Sequence, residues 1–328
     1  MKAVLGVDGG NTKTDYLLHD LSGRLLAHLR AGTCSHEALS MEGAKREMET
    51  RIGEVLKMAG LAKENVEAAA FGLAGIDQPL QQKALTEMIH EIGFPVSIAM
   101  NDSFLGIKAG SASGTGICSI NGTGTAAGGI DRFGNWMQVG GMGPATGDRA
   151  GGSYIAQETI LAVYNEIFRF GEPTGLTPPM LSLFGCAARE DFHTAFSTEY
   201  NMGNRVSTKE IIDVLFAESL EGDLAARHIV EFVAHELARS AAGCAARLRF
   251  DEVIPVVLIG SVWTKGRHKP MIDHFQAEFC RLLQKHCEVI LLEVPPAAGS
   301  VLWALELALK EAPGAGLRET VVWETIRL

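Results

Sequence analysis

The chain carries one strand-turn-strand pattern twice, and this duplication strongly limits the folds that it can adopt. Residues 3–7 are mostly apolar, residues 8–10 (Asp-Gly-Gly) form a tight turn, and residues 15–18 resume as a second strand. Residues 116–130 repeat the arrangement around the segment Asn-Gly-Thr-Gly-Thr at 121–125. Such an internal repeat predicts two similar halves that face each other.

The rest of the chain alternates between strand and helix patterns, which indicates an α/β fold. Strands are predicted at 25–29, 66–73, 96–100, 253–259 and 288–294, and helices at 41–58, 79–92, 103–109, 153–168, 208–220, 223–250, 271–286 and 296–311. Between residues 171 and 207 we expect only short helices. The order of the elements predicts domains at 1–114 and 115–328, hinged at 109–115.

Composition excludes several classes of partner. The 29 basic and 39 acidic residues give a net charge of −10, which disfavours binding to nucleic acid or to an anionic membrane surface. No apolar stretch approaches the roughly 18–20 residues of a membrane span. The six cysteines show no metal-ligand spacing, so we expect reduced thiols in a cytoplasmic protein. Cys280 and Cys287 could meet only if the helix predicted between them were broken.

The first turn has the chemistry of a phosphate site. Gly9 and Gly10 leave backbone amides uncovered, Thr12 and Lys13 add donors, and Asp8 offers a carboxylate for hydrated Mg²⁺. A plain hairpin turn is the alternative. The second glycine–hydroxyl turn favours a nucleotide held from two sides. The chain has neither a GxxxxGK[ST] motif nor a GxGxxG motif opening a helix, which disfavours P-loop and dinucleotide-binding proteins.

Taken in order, these motifs resemble those of the N-acetylglucosamine kinases and the related BadF/BadG/BcrA/BcrD-type ATPases, within the actin-like, hexokinase-like superfamily. The resemblance spans nearly the whole chain and is carried by residues 8–14, 72–75, 101–102, 122–125, 140–143, 147–148 and 260–263. It implies two ribonuclease-H-like (actin-like ATPase) domains, each a mixed five-stranded sheet with helices on both faces, separated by a cleft. The last helix would pack back on the N-terminal domain.

The resemblance also implies an activity: ATP-dependent phosphorylation of the primary hydroxyl of an amino sugar, N-acetylglucosamine or glucosamine, by a Mg²⁺-dependent homodimer. An ATPase activator of a CoA-dehydratase type system is the alternative, disfavoured because such activators hold an iron–sulfur cluster through a cysteine motif that is absent here. A sugar-sensing regulator is disfavoured by the acidic charge and by the lack of a helix-turn-helix before the first strand.

Site residues follow from the resemblance, position by position. Asp8 lies near the metal and Asp102 is the general base, although Asp102 and Asp148 could each instead cap a helix. The nucleotide-binding residues are Gly9, Gly10, Asn11, Thr12, Lys13, Gly122, Thr123, Gly124, Gly260 and Ser261. The sugar-binding residues are Ser35, His36, Asp102, Thr125, Gly141, Met142, Gly143 and Asp148. Ser35 stands where these kinases often carry Asn, so the choice of amino sugar stays open.

Overall fold

The structure is a computed structural model that describes residues 1–202 and 205–328. Part of the 171–207 segment, for which short helices are predicted, therefore lies outside the described residues. The described strands form two five-stranded sheets. They are β1 (Ala3–Gly9), β2 (Lys13–Asp20), β3 (Leu25–Gly32), β4 (Val66–Leu73), β5 (Ser97–Met100), β6 (Gly116–Asn121), β7 (Thr125–Ile130), β8 (Trp136–Gly140), β9 (Val253–Ile259) and β10 (His286–Leu291).

The two sheets share one topology. The first has the order β3-β2-β1-β4-β5, and the second has the matching order β8-β7-β6-β9-β10. In each sheet the first three strands are antiparallel neighbours, and the last two join in parallel. Tight turns can connect only antiparallel strands, whereas parallel strands need crossover connections. The expected pair of mixed five-stranded sheets is confirmed.

Helices connect and cover the sheets, and five of those in the described part, α4 to α8, lie in the long insertion between β8 and β9. In the described part they are α1 (His36–Met58), α2 (Pro79–Ile92), α3 (Ser103–Gly110), α4 (Gly152–Phe168), α5 (Thr177–Leu183), α6 (Phe192–Ala195), α7 (Thr208–Glu221), α8 (Leu224–Ala245), α9 (Ser261–Thr264), α10 (Lys269–Leu283), α11 (Ala297–Leu309) and α12 (Ala315–Ile326). Short 3₁₀ turns lie at Lys63–Asn65, Pro144–Thr146 and Arg189–Asp191, and a π-helix at Phe196–Met202.

The boundary between α10 and β10 differs from the prediction. The helix predicted over 271–286 ends at Leu283, and the strand predicted to start at 288 starts at His286. The chain leaves the helix at Gln284, which adopts a left-handed conformation with φ +52°. Because the helix stops between them, Cys280 and Cys287 meet, with their free Sγ atoms 3.4 Å apart.

Two other helices differ from the prediction at one end, and one helix was not predicted. The first helix begins at His36, where the Ser35 side chain caps it, but Ser40 interrupts it with φ +64°, so the helix predicted from residue 41 is the regular part after this kink. The helix predicted over 223–250 ends at Ala245. Helix α12 was not predicted, although Leu317 and Val321 have the i, i+4 spacing of an apolar helix face.

Helices α3 and α11 lie in a core that contacts both sheets. This core includes Val4 of the first sheet, Cys118 of the second, Phe104 of α3 and Trp303 of α11. A Cβ at Gly299 would collide with the Leu105 carbonyl, so only glycine allows the two helices to approach this closely. Helices α3 and α11 therefore form a packed apolar layer that contacts both sheets.

Across residues 1–202 and 205–328, no helix combines the length and the apolar character that crossing a membrane would require.

Candidate active site

The turn between β1 and β2 exposes backbone groups at its tip. The Gly10 N–H donates to the Lys13 carbonyl at 2.9 Å, and the Thr33 hydroxyl donates to the Gly10 carbonyl at 2.8 Å. A Cβ at Gly9 would come within 2.9 Å of the Cys34 sulfur, so glycine is required there. The exposed side chains at the tip are those of Asn11, Thr12 and Lys13.

The turn between β6 and β7 receives the N-terminus of α4. The Gly122 N–H donates to the Gly124 carbonyl at 3.0 Å, while the Gly122 carbonyl accepts from the Gly152 N–H at 2.8 Å. A Cβ at Gly151 would lie 2.5 Å from the Thr123 carbonyl oxygen. Gly151 and Gly152 end the glycine-rich loop of residues 140–152 and thus allow a helix N-terminus to dock on this turn. Helix N-termini favour anions.

An open pocket adjoins the second turn. It is lined by Gly122, Thr123, Gly152, Ser153, Thr208, Lys209, Ile212, Asp213, Ser261, Val262, Lys265 and Gly266. Gly122, Thr123 and Ser261 are among the predicted nucleotide-binding residues, and the structure brings them together with Thr208 and Lys265. Gly260 lies directly beside the backbone of Asn121, with φ +102° and no room for a side chain.

Lys209 and Asp213 of this pocket form an ion pair at 2.5 Å and were missed from the sequence. Their four-residue spacing on α7 was the only signal, and it is equally typical of any exposed helix.

Three aspartates follow neighbouring parallel strands of the first sheet. Asp8 lies at the end of β1, Asp77 follows β4, and Asp102 follows β5. Both Asp8 and Asp102 are half-buried. Ligand sites of α/β sheets gather at this strand edge. The sheet therefore collects three carboxylates in one place.

These carboxylates perturb one another. Burial raises the pKa of Asp102 to about 6; the Ser103 backbone N–H opposes the rise, and the negative charge of Asp77 adds to it. Burial, followed by the charges of Asp102 and Asp15, raises the pKa of Asp8 to about 7. Carboxyl groups that titrate near neutral pH are candidates for acid–base chemistry or for cation binding.

Asp102 occupies the N-cap position of α3, but neighbouring groups satisfy the first backbone donors. The Ser103 N–H donates to the Asn101 side-chain oxygen at 3.0 Å, and the Leu105 N–H donates to the Asp102 backbone carbonyl at 3.1 Å. Capping of α3 thus falls to the Asn101 side chain, and the Asp102 carboxylate is not needed for it.

Asp77 links the two sheets and was missed from the sequence. One of its carboxylate oxygens accepts from the Asn101 amide at 3.1 Å and from the Gln138 amide of β8 at 2.9 Å. Its position after a strand was a usable signal, since Asp102 also follows a predicted strand. Gln138 gave no signal, because nothing in a single sequence pairs a strand of one sheet with a loop of the other.

Ser35 and His36 begin α1 beside the first turn. The buried Ser35 hydroxyl accepts from the Glu37 N–H at 3.3 Å, and its backbone N–H donates to the Thr33 hydroxyl at 3.0 Å. The Nδ1 atom of His36 is buried and has no hydrogen-bond partner among the described residues. His36 therefore keeps one ring nitrogen available to a ligand.

Asp148 organises the glycine-rich loop rather than capping α4, whose N-cap is Gly151. One carboxylate oxygen accepts from the Gly143 N–H at 2.6 Å and from the Thr146 hydroxyl at 3.3 Å. The other oxygen is buried without a partner in the described part of the chain. Beyond Asp148, Arg149 ties this loop to α8 through the carboxylate of Glu236, at 2.8 and 3.0 Å.

Two other predicted sugar residues differ in their surroundings. The Thr125 hydroxyl already donates to the Ile120 carbonyl at 2.8 Å, whereas the Met142 side chain is 71% exposed to solvent. Gly141, next to Met142, lies close to Ala126 and to the Gln138 amide. The loop thus reaches the strand that carries the contact to Asp77.

Comparison with known proteins places this geometry in a family. The model of the BadF/BadG/BcrA/BcrD ATPase family matches residues 5–304. The chain belongs to this family. It is 27% identical, over 93% of its length and 98% of the relative, to the N-acetylmuramic acid/N-acetylglucosamine kinase of Clostridium acetobutylicum. It is 25% identical to the N-acetyl-D-glucosamine kinase of Dictyostelium discoideum, over 57% of this chain and 62% of that relative.

Solved structures of sugar kinases share the fold. The ROK hexokinase of Thermus thermophilus matches with a TM-score of 0.56 at 18% identity, over 94% of this chain and 100% of that one. The ROK family glucokinase of Streptomyces griseus, solved with glucose and AMPPNP, gives a TM-score of 0.51 at 18% identity, over 94% of this chain and 99% of that one. The likeness to both is one of fold.

Proposed function

We propose that the protein is an ATP-dependent sugar kinase that phosphorylates the primary hydroxyl of an amino sugar. The observation that carries the proposal is the pair of perturbed carboxylates, Asp8 and Asp102, at neighbouring strand ends beside a glycine turn. The Clostridium relative, similar over nearly its entire length, supports a sugar as acceptor.

Asp102 is proposed as the general base. Phosphoryl transfer asks of the protein mainly alignment and charge stabilisation, together with one group that accepts the proton of the attacking hydroxyl. A carboxylate that is half-buried and relieved of helix capping by Asn101 suits that role. The proton would pass from the sugar hydroxyl to Asp102 as the oxygen attacks the γ-phosphorus.

The two glycine turns are proposed to hold the phosphate chain. The two turns would present the hydroxyls of Thr12 and Thr123 and the backbone N–H groups other than those of Gly10 and Gly122, which bond within the turns, and α4 adds its N-terminus beside the second turn. Gly260 and Ser261 would contact the adenosine in the adjoining pocket.

Asp8 is proposed to bind Mg²⁺, directly or through water. The fit rests on its environment, since burial and the neighbouring carboxylates outweigh the positive charges of Lys13 and Arg30, and a cation would stabilise the ionised form of Asp8. When bound, Mg²⁺ would neutralise charge on the ATP phosphates.

The sugar is proposed to lie between His36 and Asp148. Each has a buried polar atom without a partner among the described residues, and ring hydroxyls would satisfy both atoms. Gly141, Met142 and Gly143 would border the sugar, as would Thr125. The Ser35 hydroxyl already accepts one hydrogen bond and can still donate its own proton to a sugar oxygen.

We also propose the larger-scale features. Domains at 1–114 and 115–328 would close about residues 109–115 and exclude water, which otherwise competes for the γ-phosphate. A cytoplasmic homodimer is the expected state; light scattering after size-exclusion chromatography and cell fractionation test it.

The test is a coupled ADP-release assay over glucose, glucosamine, N-acetylglucosamine and N-acetylmuramic acid, with mass spectrometry and phosphorus NMR of the product. We expect ADP release that depends on an amino sugar, with the phosphate on its primary oxygen. ADP release that no sugar stimulates would refute the proposal. Release stimulated best by glucose would refute the amino-sugar specificity alone.

A further inference from the structure

Two histidines and a glutamate meet where α8 packs against α10. Glu231 and His235 lie four residues apart on α8 and so share one face of the helix, and His274 comes from α10. One ligand-capable atom from each of the three side chains lies within 4.8 Å of the other two. The cluster shares no residue with the pocket beside the second glycine turn.

We propose that Glu231, His235 and His274 form a binding site for a divalent transition metal, with Zn²⁺ as the favoured ion. Two imidazoles and one carboxylate are a ligand set that Zn²⁺ uses with water in the fourth position. Mg²⁺ prefers an all-oxygen octahedral site and does not suit this donor set. The site is therefore chemically distinct from the Mg²⁺ site proposed at Asp8.

The geometry requires only a local adjustment. Tetrahedral Zn²⁺ with bonds of about 2.0–2.1 Å places its ligand atoms about 3.3 Å apart, so the side chains must approach by up to about 1.5 Å. Glu231 is exposed and both histidines are partly exposed, so rotation of the side chains can supply this movement, and the ion can enter from solvent.

Neighbouring groups are already engaged in other contacts. Glu231 and His274 line a surface depression that also includes His268. The Nε2 atom of His268 pairs with the Ser219 hydroxyl at 2.8 Å, and its Nδ1 atom accepts from the Met271 N–H at 3.3 Å. Arg227, also in the depression, donates to the Ser219 carbonyl at 3.1 Å. Asp273 is paired with Lys269 at 2.6 Å. Water is therefore the fourth ligand that this arrangement favours.

The consequence of binding is mechanical. A metal held by residues of two helices would fix α8 to α10 and stabilise the native state by mass action, because the unfolded chain does not hold the three ligands together. The residue after His235 is Glu236, which holds Arg149 of the glycine-rich loop. The metal would thus brace the helix that anchors this loop, without contacting the reacting groups.

The experiment uses the full chain, freed of metal by chelation, with Mg²⁺ and ADP in excess to mask the nucleotide site. Calorimetric titration with Zn²⁺ should give one site per chain, and Co²⁺ should give the visible absorption bands of a four-coordinate ion. His235→Gln and His274→Gln should each weaken Zn²⁺ binding at least about tenfold. His286→Gln, a change at an exposed histidine of β10, is the matched control and should bind as the wild type does.

Melting curves in chelator check that the variants are folded. If either histidine variant is unfolded, Glu231→Gln, at an exposed position, replaces it and should also weaken binding. Absence of stoichiometric Zn²⁺ binding to the wild-type chain would overturn the proposal, as would binding that these variants leave unchanged.

Discussion

Replacing Asp102 by Asn tests the proposed chemistry most directly, because it preserves shape and removes the proton acceptor. The carboxylate does not cap α3, whose first N–H groups are bonded to Asn101 and to backbone carbonyls, so the variant should fold. Loss of a general base typically costs a factor of about 10² to 10⁴ in rate, or about 3–5 kcal/mol of transition-state stabilisation. We expect this loss in kcat, with the KM for ATP nearly unchanged.

The pH profile gives a second, independent magnitude. With a pKa of about 6, Asp102 is about 90% ionised at pH 7 and about 9% ionised at pH 5. Wild-type kcat/KM should therefore fall about tenfold between these two pH values, because only the ionised base accepts a proton. In Asp102→Asn this acidic limb should disappear.

Asp8, with a pKa of about 7, could produce a similar limb, and the metal separates the two. Mg²⁺ competes with protons for Asp8, so a limb due to Asp8 moves to lower pH as the Mg²⁺ concentration rises. A limb due to Asp102 stays in place. The assay is therefore a pH series of coupled ADP release at two Mg²⁺ concentrations, with exposed Asp251→Asn as the matched control. Asp102 is not the general base if Asp102→Asn keeps more than a tenth of wild-type kcat, or if the acidic limb of its pH profile survives at saturating Mg²⁺.

Three further perturbations follow from the same contacts. Asp8→Asn should stabilise the metal-free protein at pH 8. The pKa of Asp8 is raised in the folded state, so its contribution to native stability falls as pH rises from about 4 through 7. The pKa difference sets an upper limit of roughly 4 kcal/mol, which solvent screening reduces to about 1–2 kcal/mol, measurable by urea unfolding at pH 8 against pH 4. Gly151→Ala should raise the KM for ATP about tenfold, because its Cβ would meet the Thr123 carbonyl, whereas Gly53→Ala in α1, with open space, should leave KM unchanged and stabilise the fold by about 1 kcal/mol. Gln138→Ala removes the hydrogen bond to the Asp77 carboxylate and should raise the KM for sugar about tenfold with the KM for ATP unchanged. Equal changes in both KM values would contradict an effect of this contact on the sugar alone.

The parts of the fold that could be predicted are those coded by local patterns. Residues 3–20 and 116–130 each combine an apolar run, a glycine turn and a second strand, and the structure forms both hairpins there. Helix ends were harder to predict. Gln284 ends α10 in a left-handed conformation that Gln rarely adopts, so no residue type marked the end, and the meeting of Cys280 with Cys287 could not be foreseen.

The candidate site divides in the same way. Asp8 was selected with the glycine turn that it begins, and Asp102 through the family resemblance; both follow a predicted apolar strand. Gln138 and Glu236 could not be selected, since each acts through a partner more than 60 residues away. Long-range hydrogen bonds depend on how the two sheets and the insertion are placed in space. A single sequence does not encode that placement in any local pattern.

The arrangement of charge in the first sheet suggests why the two roles of Asp8 and Asp102 are separable. The positive charges of Lys13 and Arg30 lower the pKa of Asp8, whereas backbone N–H groups lower the pKa of Asp102. Burial still dominates both, so each carboxylate keeps a proton at a pH where an exposed aspartate would not. The negative charge that raises the pKa of Asp102 is that of Asp77, and Asp8, which has the higher pKa, is still protonated where Asp102 titrates. A cation at Asp8 would therefore take the place of the Asp8 proton and leave the pKa of Asp102 to burial and to Asp77, so the metal site and the base can be perturbed separately.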